Sequence, residues 1–248
     1  MTPPPPVPHA MPTSVLGLAP VIPVVVLEDA ADAVPLARAL VDGGLPAIEV
    51  TLRTAAAPEA IRAIADAVPE AVVGAGTVLG PENVRTAVGA GARFLVSPGW
   101  TEALLEAMRA SGVPFLPGVS TASEVLALLE RGITEMKFFP AEAAGGTGYL
   151  KSLASPLARA RFCPTGGVTA ANAADYLALP NVACVGGTWM LPTDALAAKD
   201  WDRIRSLAAE AASEAWAVCA RGAGWASAAP TRGTRDRAVK PTAGDPCR

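Results

Sequence analysis

One lysine of this chain interrupts an apolar strand pattern, Met136-Lys137-Phe138-Phe139-Pro140. Period-two alternation puts Lys137 and Phe139 on one face and Met136 and Phe138 on the other. If the second face packs against helices, the amine points into the interior. Desolvation penalises an ammonium, and the neutral amine is the form that attacks a carbonyl. Two readings of Lys137 follow: a Schiff-base nucleophile, or an internal lysine paired with a carboxylate for structure. Rivals for the first role are few, because the other lysines are Lys151 on a helix, Lys199 in a surface-like turn and Lys240 near the end of the chain.

A second strand pattern, Ile48-Glu49-Val50-Thr51-Leu52-Arg53, turns Glu49, Thr51 and Arg53 to one face. Three inward polar groups on a strand covered on both sides are costly unless paired or functional. Glu49 and Arg53 are roughly 13 Å apart along extended backbone, so Glu49 lies deeper and Arg53 nearer the mouth. A carboxylate there suits proton transfer for a nearby amine and carbonyl, and a guanidinium suits bidentate grip of a substrate carboxylate. The structural alternative is a Glu49–Lys137 ion pair with an arginine at the rim.

Three further strand ends carry hydroxyls beside glycines: Gly74-Ala75-Gly76-Thr77, Thr165-Gly166-Gly167 and Gly186-Gly187-Thr188. The last two match in placement the phosphate site common after the seventh and eighth strands of a barrel, where backbone N–H groups cradle a dianion. Ordinary glycine turns are the alternative. His9 is the only histidine and falls in a proline-rich lead, which excludes a Ser-His-Asp triad, a Cys-His pair or a His-ligated zinc from the folded body. Cys163, Cys184, Cys219 and Cys247 show neither CxxC nor regular spacing, so no metal site or disulfide framework is expected and a reducing cytoplasm fits.

These residues need a scaffold that presents many strand ends together. Strands are expected over 21–27, 47–52, 72–78, 94–97, 114–117, 135–139, 161–164 and 182–185. Helices are expected over 30–42, 58–68, 82–89, 101–110, 122–131, 148–157, 170–179 and 201–219. Gly43-Gly44 would stop the first, a capping box of Thr121 and Glu124 would start the fifth, and Thr169 and Asp200 are further cap candidates. Eight β-then-α units predict an α/β fold of the (β/α)8 TIM-barrel type in a single domain. An open doubly wound sheet is disfavoured, since the turn after the first strand, Leu27-Glu28-Asp29-Ala30, has no glycine. Trp189 and Trp201 are expected to pack, with no base-stacking platform.

Composition agrees. The chain has 248 residues, 51% of them hydrophobic, and a mean hydropathy of +0.35, yet its longest aliphatic run, over 21–27, is interrupted by Pro23. That is far short of the roughly 20 residues of a membrane span, so the surplus belongs to a buried interior. A net charge of −3 argues against nucleic acid or an anionic membrane as partner. The expected organisation is a disordered proline-rich lead over 1–14 without secretory features, a barrel over 15–219, and a flexible tail over 220–248.

The strings Ile48-Glu49-Val50-Thr51-Leu52-Arg53-Thr54, Gly74-Ala75-Gly76-Thr77-Val78-Leu79, Lys137-Phe138-Phe139-Pro140-Ala141-Glu142 and Phe162-Cys163-Pro164-Thr165-Gly166-Gly167 resemble the bacterial 2-keto-3-deoxy-6-phosphogluconate (KDPG) aldolase family. Its members often also act on 4-hydroxy-2-oxoglutarate (KHG). The resemblance spans about 15–219. It implies a class I aldolase of the Entner–Doudoroff pathway, cytoplasmic, without metal or other cofactor, on a (β/α)8 barrel and as a homotrimer. It also implies that Lys137 forms the Schiff base, Glu49 is the general acid/base, Arg53 and Thr77 hold the pyruvyl carboxylate, and Pro98 and Phe139 line the pyruvate pocket. Thr165, Gly166, Gly167, Gly187 and Thr188 match positions that contact the hydroxylated and phosphorylated part of the substrate. Family members often carry a basic residue after strand one, where this chain has Glu28-Asp29, and Thr188 stands for a more usual serine. A C4-epimeric substrate, a barrel isomerase with an electrostatic Lys137, and a non-catalytic binder of phosphorylated sugar acids are the other readings.

Overall fold

Apolar, β-branched runs form short strands in a computed structural model that describes residues 12–221. These are β1 (Val21–Val25), β2 (Ala47–Thr51), β3 (Val72–Gly76), β4 (Leu95–Val96), β5 (Phe115–Leu116), β6 (Gly118–Val119), β7 (Glu135–Phe138), β8 (Arg161–Pro164) and β9 (Val185–Gly187). The helices are α1 (Ala33–Asp42), α2 (Ala57–Ala67), α3 (Pro81–Gly89), α4 (Glu102–Ala110), α5 (Ala122–Glu130), α6 (Gly146–Leu153), α7 (Ala173–Leu177), α8 (Thr193–Ala198) and α9 (Trp201–Arg221). The expected lead and tail lie outside the described residues except at 12–14 and 220–221, and His9 lies outside them too.

Every strand pairing is parallel. One sheet has six strands in the order β5-β4-β3-β2-β1-β9, and the other has three in the order β6-β7-β8. The α/β architecture is thus as expected, while the eightfold alternation is broken at the fifth strand. Pro117 lacks an N–H to donate to the ladder, so the expected strand 114–117 is cut to Phe115–Leu116 and a second strand begins beyond it at Gly118. β5 pairs with β4, and β6 pairs with β7. The last strand also lies later than expected. Val182 is drawn into a turn, its N–H donating to the Leu179 carbonyl at 3.1 Å, and it makes only an isolated bridge to Phe162. The strand forms over Val185–Gly187 instead, where a pattern search sees glycine and expects a loop. A second isolated bridge joins Thr165 to Gly186.

Helix boundaries follow local chemistry. Thr121 and Glu124 form the reciprocal capping box at α5, and the Asp200 carboxylate accepts from the Arg203 N–H at 3.0 Å at the start of α9. The expected cap at Thr169 is reversed: its own N–H donates to Asn172 Oδ1 at 2.7 Å, and α7 starts later and is shorter than the expected 170–179. Gly44, at φ +89°, ends α1. Gly43 has a second duty, because a Cβ there would lie 2.5 Å from the Ala208 Cβ of α9. The short α8 is an addition to the expected elements.

Side-chain parity divides the core into two clusters. Ile48, Val50, Met136, Phe138 and Phe162 face the helices, as alternation predicts, and Trp189 and Trp201 pack at the edge of that layer. Ile22, Ala47, Phe94, Val96, Leu116, Cys163 and Cys184 face inward. Val15, Leu16 and Ala19 join this inner cluster from the segment before β1, so they close its floor. Ser14 marks the entry, its hydroxyl donating to both Glu135 carboxylate oxygens at 2.7 and 2.9 Å at the start of β7. Burying Leu16 contributes about 1.5–3 kcal/mol. The polar residues lie above this floor.

Candidate active site

Glu49 and Lys137 meet across the interior. Lys137 Nζ donates to Glu49 Oε1 at 3.2 Å, and the two side chains are only 5% and 4% exposed. Each arrives by strand parity: Glu49 sits between outward Ile48 and Val50, and Lys137 between outward Met136 and Phe138. Such a pair gives little net stability, since taking both ions out of water offsets most of their attraction. The third inward group of β2, Thr51, is satisfied structurally, its hydroxyl donating to the Val25 carbonyl at 3.0 Å.

Glycines opposite these groups make the room. A Cβ on Gly76 would lie 2.1 Å from Glu49 Oε1, one on Gly186 would lie 2.4 Å from Thr165 Oγ1, and one on Gly118 would lie 2.2 Å from the Pro98 carbonyl carbon. Three expected site residues therefore lean into space vacated by glycine. Gly74 is filled differently, by the Phe94 ring of the floor, 2.4 Å from where its Cβ would be. By this geometry Gly118 and Gly186 make room for the expected site residues; sequence reasoning misses Gly118, and reads Gly186 as part of a phosphate loop but not as the space beside Thr165. Their only advance signal is a glycine inside or beside a strand.

Above the pair, Phe139 places its ring centroid 5.3 Å from Lys137 Nζ. On the neighbouring strand ends, Arg53 Nε donates to Thr77 Oγ1 at 3.1 Å. Arg53 is exposed, as expected for a residue near the mouth. Thr77 holds a φ of +55°, unusual for a β-branched residue. That conformation costs of order 1–3 kcal/mol, and such costs collect at functional sites.

The expected phosphate region is formed by two chain segments. Thr165 is buried, and Gly166 and Gly167 turn at φ +98° and +81°. Backbone bonds tie this loop to the residues after β7: the Ala141 N–H donates to Thr165 O at 2.8 Å and the Glu142 N–H to Gly166 O at 3.0 Å. Gly187 ends β9 beneath the Trp189 ring, and Thr188 follows it, exposed. The Thr165–Gly186 bridge brings the two glycine pairs together.

A family model described as KDPG and KHG aldolase matches residues 13–207. The chain belongs to that family. It is a carbon–carbon lyase. Its similarity to the KHG/KDPG aldolase of Escherichia coli (strain K12) is 54% identity over 198 residues, 80% of this chain and 93% of the relative. The 2-dehydro-3-deoxy-phosphogluconate aldolase of Dickeya dadantii (strain 3937) is 51% identical over 203 residues, 82% of this chain and 95% of the relative. Among solved structures, a KDPG aldolase from Legionella pneumophila, with pyruvate captured at low pH as a covalent carbinolamine intermediate, is 45% identical with a TM-score of 0.76, over 78% of this chain and 94% of that one. The aldolase of Zymomonas mobilis ZM4 with 3-phosphoglycerate is 50% identical with a TM-score of 0.75, over 79% and 92%. Among the described residues of this aldolase, no helix is long and apolar enough to cross a membrane.

Proposed function

We propose that this chain cleaves 2-keto-3-deoxy-6-phosphogluconate to pyruvate and glyceraldehyde 3-phosphate through a Schiff base on Lys137, and 4-hydroxy-2-oxoglutarate to pyruvate and glyoxylate at the same site. The observation that carries this reading is the buried Lys137–Glu49 contact at 3.2 Å, in a chain whose relative forms a covalent pyruvate carbinolamine. A desolvated amine with a carboxylate in reach can lose its proton to that carboxylate and attack a carbonyl.

The steps follow from the placement. Lys137 Nζ adds to the C2 ketone, and Glu49 carries the amine proton to the carbinolamine oxygen, which leaves as water. Arg53 receives the substrate carboxylate with its terminal nitrogens while Thr77 holds Nε, and Phe139 and Pro98 bound the pyruvyl methylene. Glu49, a carboxylate again once water has left, takes the C4 hydroxyl proton and so becomes the donor for C3; the C3–C4 bond breaks as the aldehyde forms, its electrons passing into the iminium to give an enamine. Protonation at C3 and hydrolysis then release pyruvate and the free amine. The loop of Thr165, Gly166 and Gly167, with Gly187 and Thr188, receives the hydroxylated and phosphorylated part through backbone N–H groups and hydroxyls.

The test is reductive trapping. Borohydride added with pyruvate gives a covalent mass on the Lys137 peptide by mass spectrometry, and an unmodified Lys137 peptide overturns the reading. Arg53→Lys raises KM for both substrates by roughly tenfold with kcat nearly unchanged, because a point charge replaces a bidentate fork; steady-state kinetics with coupled pyruvate detection checks it.

The two parallel sheets are proposed to close into the (β/α)8 ring at two seams. Chain continuity through Pro117 joins β5 to β6, and the Thr165–Gly186 bridge supports the other closure. The barrel is proposed to occupy 15–219 of a cytoplasmic homotrimer, a reading supported by the family resemblance. Light scattering then returns about three times the 25.1 kDa chain mass, and a monomer or dimer mass counts against it.

A further inference from the structure

Tyr176 of α7 is completely buried, although its phenol is polar. Its hydroxyl donates a short hydrogen bond to Glu142 Oε1. Burial, and then the adjoining carboxylate, push this phenol above its ordinary value, so the donor stays protonated through the neutral range. Glu142 is in turn wrapped around the glycine loop. Its N–H donates to Gly166 O, and its side chain covers Gly167 so closely that a Cβ there would lie 2.5 Å from Glu142 Cγ. On the other side, Asn172 Nδ2 donates to Gly167 O at 3.1 Å, and the Tyr176 N–H donates to Asn172 O at 3.3 Å. One short helix thus grips the loop from two directions.

Neither Tyr176 nor Glu142 approaches the Lys137–Glu49 pair by any contact described above, and neither has a part in the bond-breaking steps. A hydrogen bond to a charged acceptor is among the stronger protein contacts and is expensive to leave unmade when buried. Gly166 and Gly167, both at positive φ, have no side chains of their own to define the loop. Its shape must therefore be set by neighbours.

We infer that Tyr176 is a positioning residue which, through Glu142, holds the Thr165-Gly166-Gly167 loop in the form that receives a phosphorylated substrate tail, and so sets the preference for phosphorylated over unphosphorylated 2-oxo acids. The inference rests on the proposed role of this loop in binding the phosphorylated part. Tyr176→Phe keeps the ring and removes only the donor. It raises KM for 2-keto-3-deoxy-6-phosphogluconate roughly tenfold, with kcat within about twofold, and leaves both constants for 4-hydroxy-2-oxoglutarate unchanged. Glu142→Ala does the same, Glu142→Gln is milder because its amide oxygen still accepts, and the double variant Tyr176→Phe/Glu142→Ala is no worse than either single change.

Equal losses on both substrates would mean general loosening and would overturn the inference, as would unchanged constants on both. Gly167→Ala separates this failure from failure of the underlying reading. If the loop binds the phosphorylated tail but Tyr176 does not set it, Gly167→Ala raises KM for the phosphorylated substrate while Tyr176→Phe does not. If the loop has no such role, Gly167→Ala also leaves the preference between the two substrates unmoved, and both proposals fall.

Discussion

Lys137→Ala lowers cleavage by at least about 10⁴-fold, since the other lysines among the described residues, Lys151 and Lys199, are exposed, and Lys199 is paired with Asp32. Borohydride with pyruvate then leaves every peptide of the variant unmodified. The same change removes the only ion-pair partner, among the described residues, of a carboxylate that is itself 4% exposed, and breaking a buried pair from one side costs about 3–5 kcal/mol of stability. Lys137→Met/Glu49→Leu recovers most of that stability without recovering activity, because an apolar replacement of both partners is close to neutral or better. Urea unfolding and coupled pyruvate detection measure the two effects separately. A Lys137→Ala enzyme that kept one-hundredth of the parent rate would sink the nucleophile assignment.

Gly76→Ala is expected to cost nearly as much from a position with no chemistry of its own. The added Cβ would stand 2.1 Å from Glu49 Oε1 and 2.6 Å from Glu49 Cγ, so the carboxylate must move. A displacement of about 1 Å in a catalytic group is enough for a roughly 10²-fold loss, and loss of general acid–base action altogether for about 10²–10⁴-fold. Rates of carbinolamine formation, followed by rapid-quench trapping, fall in this range, while circular dichroism stays that of the parent. An unchanged trapping rate would show that Glu49 does not need the space.

The inward placement of Lys137 and Glu49 is legible in the sequence because parity in a parallel strand is strict. Lys137 and Glu49 each sit among outward apolar neighbours, and a one-residue slip would have turned both toward the helices. Arg53 is legible by the same parity, and Thr77 as a hydroxyl beside the glycines at a strand end. What did not come through is the contribution of residues that act by being small. A glycine at 118 or 186 weakens a strand pattern, and Gly186-Gly187 reads as a phosphate-binding loop rather than as the end of the last strand. Tyr176 and Glu142 are 34 positions apart, and nothing local signals that a phenol on one helix completes a loop beside another strand. The floor made by Val15, Leu16 and Ala19 was hidden likewise, since a short apolar stretch before the first strand has no periodicity to betray its partner.

The division of the strands into sets of six and three has a bearing on how the enzyme keeps its geometry. Glu49, Arg53, Thr77, Pro98 and Gly187 are carried by the larger set, or by the turns that leave it. Lys137, Phe139 and the loop from Thr165 to Gly167 are carried by the smaller one. The amine proposed to react and the carboxylate proposed to take its proton thus stand on opposite jaws of a clamp, joined covalently beside Pro117 and through α7, and by the isolated bridges Phe162–Val182 and Thr165–Gly186. No distance within either sheet sets the 3.2 Å contact between them. It is the fit of the jaws that does so, in the way that two lobes define the cleft of a larger enzyme.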